Sequence, residues 1–413
     1  MRSRVLAAAR FLATLAVPIV LQAQPPLALV GARIYPAPGQ RPIRDGVVVI
    51  DGARIAALGE RRTTKVPRGA RVLYLAGLTM TAGLWNSHAH FIEAKWSNAA
   101  KIPAAELGEQ IEEMLTSYGF VHVFDTGSPL ENTNAIRRRV ETGEVVGPAI
   151  HTAGMVLFPK GGTPPATLTL ALGFMPGEYP EVGSTQQAID WVGRMLDGGA
   201  DAIKLYAETW FGQPVAMPLE IVQAIVAETH RRGKLVLAHP SDKTGLGRSV
   251  EAGVDVLVHT APEAGPWSGD RIATMKAKRI ALIPTLKLWR YETRHTRRSL
   301  VQGFIDLGVA QLRAYSAAGG TILFGTDVGY MGDYDPTEEY ELMARAGLDF
   351  SRILASLTTA PAERFGLSDR TGRLAPAMDA DIVVFRADPA VDPKAFAAVR
   401  YAFRKGAIIY QAK

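Results

Sequence analysis

TAGLWNSHAHF, residues 81–91, is a short apolar run that ends in two histidines one residue apart, His88 and His90. In an extended strand alternate side chains share a face, so both imidazoles point the same way and can grip one ion while Ala89 turns away. A His-x-His pair alone is a weak signal. Four more segments follow the same plan, an apolar run closing on a side chain that can bind or serve a metal: ADAIKLYAE with Lys204, KLVLAHP with His239, VDVLVHT with His259 and TILFGTD with Asp327.

Counting apolar runs outward from the first gives eight candidate strands, at 84–90, 121–126, 149–155, 202–206, 235–239, 255–259, 280–285 and 321–327. Between them lie AAELGEQIEEMLTSYG, STQQAIDWVGRMLDGG, PLEIVQAIVAETHRRG and LVQGFIDLGVAQLRAYSAAGG, with apolar residues three and four apart and a glycine near the end, the pattern of amphipathic helices. Strand alternating with helix predicts an α/β fold, a (β/α)8 TIM barrel, which gathers the C-terminal ends of all its strands on one face. Residues spread over the sequence then become neighbours.

With 413 residues the chain exceeds the roughly 250 of a bare barrel. Its ends supply the surplus. LALVGARIY, DGVVVIDGARIAALG with Asp51-Gly52 at a hairpin turn, and ARVLYL precede the barrel, while DADIVVF, AVRYAFRKG and AIIYQ follow it. A small β-sandwich built from 24–77 and 372–413 is expected beside a barrel of 78–371. Residues 1–23 read as a secretory signal peptide: Arg2, Arg4 and Arg10 precede an apolar run, and a small residue, Ala23, stands at the cleavage point. That run is short of the roughly 20 residues of a membrane span and contains Pro18, so an exported, periplasmic or secreted protein without a stable anchor is expected.

There is no cysteine, which excludes disulfides and thiolate metal sites. The formal charge of +6 includes the three signal-peptide arginines, and the remaining near-balance gives no reason to invoke nucleic acid. A local basic cluster, Arg290, Arg294, Arg297 and Arg298 with His295, follows the seventh strand. It reads either as a solvated helix face or as a clamp for a substrate carboxylate, because a guanidinium fork fits a carboxylate in bidentate fashion.

Imidazole and carboxylate together suit zinc and similar divalent ions. An ammonium cannot ligate a cation, so Lys204 is either a structural lysine paired with an acid or a neutral amine that adds carbon dioxide to become a carbamate. A carbamate is an anionic, two-oxygen bridge, suited to holding two divalent ions about 3.5 to 4 Å apart.

With these residues in place, the chain resembles the amidohydrolase superfamily, the binuclear subtype with a carboxylated lysine, in its prolidase-like and imidazolonepropionase-like branch. The likeness covers nearly the whole mature chain: the His-x-His, Lys204, His239, His259 and Asp327 in order, the split β domain, and the segments GFVHVFDTGS, GADAIKLY, IALIPTL and LTTAPAERFGLSDRTGRLAPAMDADIVVF. The resemblance implies that His88, His90 and Asp327 bind one ion, that His239 and His259 bind the other, and that carboxylated Lys204 bridges them. It further implies that a metal-bridging hydroxide hydrolyses a carbon–nitrogen amide bond, with Asp327 as the catalytic base turned acid.

Three positions depart from the family pattern. Ala82 stands for a proline before Gly83, Asn86 for an aspartate two residues before the first histidine, and Ala377 for a glycine near the C terminus. In addition, FPKGGTPPATLTLALGF lacks the histidine that the branch often carries there.

Tyr206 shares the inward face of Lys204 and is expected to line the site, joined by His151, His295, Arg294, Tyr330 and Tyr334 as substrate-binding candidates. His122 is expected in the core and His230 on the surface. Xaa-Pro dipeptides and N-acyl amino acids are the leading substrates. Cyclic amides of imidazolone type and xenobiotic amides or esters are the alternative; a decarboxylase, a deaminase or a non-catalytic homologue is the alternative of another class. The expected partner is a small-molecule amide, and a homo-oligomer is compatible with the sequence.

Overall fold

The computed structural model describes residues 25–177, 179–209 and 213–413. The signal-peptide reading of 1–23 therefore lies outside the described residues. Strands Leu84–Ala89, Phe120–Asp125 and Ala149–Thr152 form one parallel sheet, and Ala202–Tyr206, Leu235–His239, Val256–Val258 and Ala281–Ile283 form another. Both faces of these strands are covered, which explains why they read as unbroken apolar runs without alternation. Phe124, Ala202, Leu237, Val256, Val258, Ala281, Ile283 and Leu323 pack together as one apolar cluster, separate from the larger one that takes in the helices.

Isolated parallel bridges link the two sheets: Leu157 pairs with Leu205, Leu282 with Ile322, and Ala89 with Val328. The eighth expected strand, 321–327, is thus present as a segment held by single bridges and not as a regular strand. Gly325 and the left-handed backbone of Asp327 interrupt its ladder. Five other inner strands also end earlier than the apolar runs suggest, at Ala89, Asp125, Thr152, Val258 and Ile283.

Helices form where apolar residues recur every three to four positions. Leu219–Arg231 buries Ile221, Val222, Ile225, Val226 and Thr229 on one stripe. Caps fix the starts: Ser184 accepts from Gln187 N, and Asp242 accepts from Thr244 N and Gly245 N. Among the described residues no helix is long and apolar enough to cross a membrane.

The strands from both ends make one eight-stranded sheet. Ile43–Asp51 and Arg54–Glu60 form the expected hairpin about Gly52, whose φ of 55° suits the turn. Thr79–Ala82, read from sequence as the entry to the barrel, pairs instead with Ile382–Phe385 and with Leu27–Ile34. The chain leaves this sheet at Gly83 and enters the strand of His88 directly, so the two bodies share a rigid seam.

Candidate metal centre

Three backbone hydrogen bonds clamp the segment of Asp327 against the strand of His88. Ser87 N donates to Phe324 O at 2.7 Å, Asp327 N to His88 O at 2.9 Å, and His90 N to Val328 O at 2.8 Å. Gly325 permits this approach, since a Cβ there would stand 2.6 Å from His88 Cβ. As a result His88 Nε2 and His90 Nε2 lie 3.2 and 3.0 Å from Asp327 Oδ1, and His259 Nε2 lies 3.8 Å from Asp327 Oδ2. His88, His259 and Asp327 offer ligand atoms all within 4.8 Å of one another. The rings continue the cluster, His88 to His259 at 4.8 Å and His259 to His239 at 4.7 Å between centroids.

The backbone is strained at this same end. His259, Thr285 and Asp327 have φ of 83°, 45° and 61°, a left-handed region that costs a non-glycine residue roughly 1 to 2 kcal/mol. Such strain persists only where the surrounding packing over-determines it.

Hydrogen bonds behind the ligands set their protonation. His90 Nδ1 contacts Gly127 O at 2.9 Å, and a carbonyl only accepts, so Nδ1 carries a proton and Nε2 is the nitrogen turned toward the cluster. Gly127 is itself fixed by Asp125, a buried carboxylate that accepts from Gly127 N and from the hydroxyls of Ser128, Thr133 and Thr152. Burial pushes His88, His239 and His259 well below the usual imidazole range, and the neighbouring cationic groups push the same way. Neutral imidazole is the form that ligates a metal.

Lys204 is 3% exposed. Burial lowers its amine to about 7, against the opposing pull of Asp327 and Asp125, so a large neutral fraction exists near neutrality. Its strand neighbour Tyr206 stacks on His239 at 4.3 Å between ring centroids, in register with it across the parallel pair.

The remaining candidates divide. Tyr330 follows Asp327 in a tight turn, with Tyr330 N donating to Asp327 O at 3.3 Å, and its hydroxyl donates to Glu292 Oε1 at 2.6 Å. Tyr334 instead donates to Glu93, beside Lys95. His151 does not reach the cluster: it stacks on Trp85 at 5.5 Å and on Phe124 at 6.0 Å, with its Nε2 buried and unpartnered. Arg294 and His295 are exposed, and the Arg294 guanidinium lies 3.7 Å over the Tyr291 ring, as the solvated-face alternative describes. Arg290 is taken by Glu338 at 2.6 Å. His122 is a core residue that pairs with Asp381 at 2.8 Å, and half-exposed His230 pairs with Asp255 at 2.7 Å.

Sequence reasoning missed Thr285, 3.4 Å from His88 Nδ1, and Glu292, one turn beyond Trp289, whose ring lies 6.3 Å from that of His259. Glu292 was hidden among the arginines of its segment; its place just after the seventh inner strand was the available signal.

These residues fit a divalent metal. The Nε2 atoms of His88 and His90 converge on Asp327 Oδ1 at 3.2 and 3.0 Å, and that buried oxygen has no hydrogen-bond partner. Two imidazole nitrogens and a carboxylate oxygen gathered this closely form a donor set suited to a divalent ion.

Residues 79–409 match the amidohydrolase family. Ochratoxinase of Aspergillus niger is 24% identical over 404 residues, covering 88% of this chain and 82% of that one. Among solved structures, a Xaa-Pro dipeptidase with bound methionine in the active site superimposes with a TM-score of 0.78 at 20% identity, covering 94% of this chain and all of the other. A prolidase complexed with N-methylphosphonate-L-proline gives 0.77 at 23% identity, again with 94% of this chain and 100% of the other covered.

Proposed function

Because this chain belongs to the amidohydrolase family, we propose that it hydrolyses the amide bond of a small molecule, with Xaa-Pro dipeptides and N-acyl amino acids as leading substrates. The observation that carries the reading is the convergence of His88 Nε2, His90 Nε2 and the unpartnered Asp327 Oδ1, with His259 and buried Lys204 in the same cluster, a ligand set that suits cations. His88, His90 and Asp327 would hold one ion, His239 and His259 a second, with zinc as the metal and a carbamate on Lys204 between them. When bound, the ions supply a Lewis acid for the carbonyl and lower the pKa of water.

The chain's own residues do the rest. Asp327, central among the imidazoles, accepts the proton of the attacking water and delivers it to the leaving nitrogen. Gly127 O and Thr285 hold the imidazoles of His90 and His88 in place, so Asp327 keeps one orientation through the cycle. Tyr206, flat against His239, forms a wall of the substrate space. Similarity to ochratoxinase favours a second reading, a xenobiotic amide, over an imidazolone-type ring.

The same proposal takes the two parallel sheets and their bridges as one closed (β/α)8 barrel of 78–371, and the terminal sheet as the curled β-sandwich of 24–77 and 372–413. It takes 1–23 as an export signal to the periplasm or beyond. The deciding experiment measures metal per chain and hydrolysis of Xaa-Pro dipeptides and N-acyl amino acids before and after chelation. Two ions and chelator-sensitive release of amino acid support the proposal. One ion or none in folded protein removes the bridging role of Lys204, and Lys204→Ala with full activity and two ions does the same.

A further inference from the structure

The helix Lys287–Thr293 follows an inner strand and reaches over the metal centre through Trp289, beside His259. One turn later it presents Glu292. One carboxylate oxygen accepts the Tyr330 hydroxyl at 2.6 Å, and Tyr330 belongs to the turn that begins at Asp327. No ion pair to Glu292 forms among the described residues, because Arg290 is bound to Glu338 and Arg294 stacks on Tyr291. Glu292 remains exposed to solvent, one turn beyond Trp289, whose ring lies 6.3 Å from that of His259. Its hydrogen bond to Tyr330 and its place on the helix of Trp289 put the Glu292 carboxylate at the edge of the cluster that holds Asp327 and His259.

We propose that Glu292, held by Tyr330, is a specificity residue that receives a protonated amine on the acyl side of the substrate, an inference that rests on the amide-hydrolysis reading above. The free carboxylate oxygen can accept one of the three N–H groups of an ammonium, and the pairing is charge-assisted. A free dipeptide carries such an amine one carbon from its scissile carbonyl; an N-acyl amino acid does not. Glu292 therefore selects Xaa-Pro dipeptides over N-acyl amino acids. It also inverts the electrostatic expectation from the basic segment: the charge offered to the substrate from this helix is negative.

The test compares alanyl-proline with lactoyl-proline, in which a hydroxyl replaces the ammonium, at pH 6.5 to keep the amine charged. Metal-loaded wild type is expected to favour alanyl-proline in kcat/KM by roughly ten- to hundredfold. Glu292→Gln brings that ratio toward one, mainly through KM for alanyl-proline, and Tyr330→Phe lowers it by a smaller factor. A wild-type ratio of one or below, or a ratio unchanged in Glu292→Gln, overturns the assignment. Activity on N-acyl amino acids with none on alanyl-proline overturns it too while leaving amide hydrolysis standing. Loss of chelator-sensitive hydrolysis on every substrate is the separate failure of the underlying reading.

Discussion

Asn86 Nδ2 donates to Thr326 Oγ1 at 2.6 Å across 240 residues of sequence, and Asn86 Oδ1 accepts from His88 N at 3.1 Å and from Thr326 N at 3.2 Å. One buried amide thus ties the strand of His88 and His90 to the segment of Asp327. An aspartate, the residue usual at this position in the family resemblance, reproduces the two acceptor contacts but lacks the donor. Asn86 therefore supplies three hydrogen bonds of its own, two of them across to the segment of Asp327, at the position where the resemblance has a carboxylate.

Removing that amide strands the buried His88 N–H, at a cost of about 1 to 3 kcal/mol, and leaves Thr326 N only its 3.3 Å contact to His88 O. Asn86→Ala is expected to lose about 1 to 3 kcal/mol in denaturant unfolding and to bind metal more weakly. Asn86→Asp keeps both acceptors and is expected to lose less. Equal losses in the two variants would show that the donor to Thr326, and not the acceptor pair, holds the site together.

His151 gives a pH dependence with a definite sign. Burial lowers its imidazole from 6.5 to about 4, so folding penalises the protonated form. The native state is then favoured above about 6.5 and loses this contribution as pH falls through the window from 6.5 to 4, by up to about 3 kcal/mol. His151→Phe keeps a ring against Trp85 and removes the titrating, unpartnered nitrogen. The unfolding free energy of metal-free protein should fall less steeply from pH 6.5 to 5 in the variant; an identical slope would mean that His151 gains a partner when protonated.

The ligands were legible because each stands at the end of an apolar run, a pattern that survives without knowledge of the packing. His151 stands at the same apparent place and was misread. Its run stops at Thr152, so its side chain points to Trp85 and Phe124, not to the ligands. Strand ends shift by a residue with bulges and caps, and one residue reverses the face. Glu292 was unreadable for another reason: which charge of a mixed helix faces a cavity depends on where its neighbours find partners, here Glu338 for Arg290 and the Tyr291 ring for Arg294.

Ala377 was legible as a departure and its consequence is local. Its φ of 69° lies in the left-handed region, where a Cβ costs roughly 1 to 2 kcal/mol, and glycine carries no such cost. Glycine's greater freedom in the unfolded chain offsets about 0.4 to 1 kcal/mol of the gain. Ala377→Gly is expected to raise stability by up to about 1 kcal/mol without changing activity. A loss of stability would show that Ile55 and Arg54, which hydrogen-bond to the backbone of Ala377, already relieve the strain.

Gly325 separates site geometry from fold stability. A Cβ there would lie 2.5 Å from Ile283 Cγ2, 2.6 Å from His88 Cβ and 3.1 Å from His88 N, distances that force the two segments apart. Ile283 can turn a terminal methyl aside, but the His88 backbone is held by Asn86 and by Asp327 N, so the displacement falls on the ligands. Overpacking of this kind costs about 1 to 3 kcal/mol. A misplacement of roughly 1 Å at a reacting centre costs about a hundredfold in rate. Gly325→Ala is therefore expected to remain folded with a lowered melting temperature, to bind fewer than two ions, and to lose at least about a hundredfold in kcat/KM. Full metal content with unchanged kcat/KM would mean that the segment of Asp327 can move as a unit, and that the close approach to His88 is not what sets the geometry of the site.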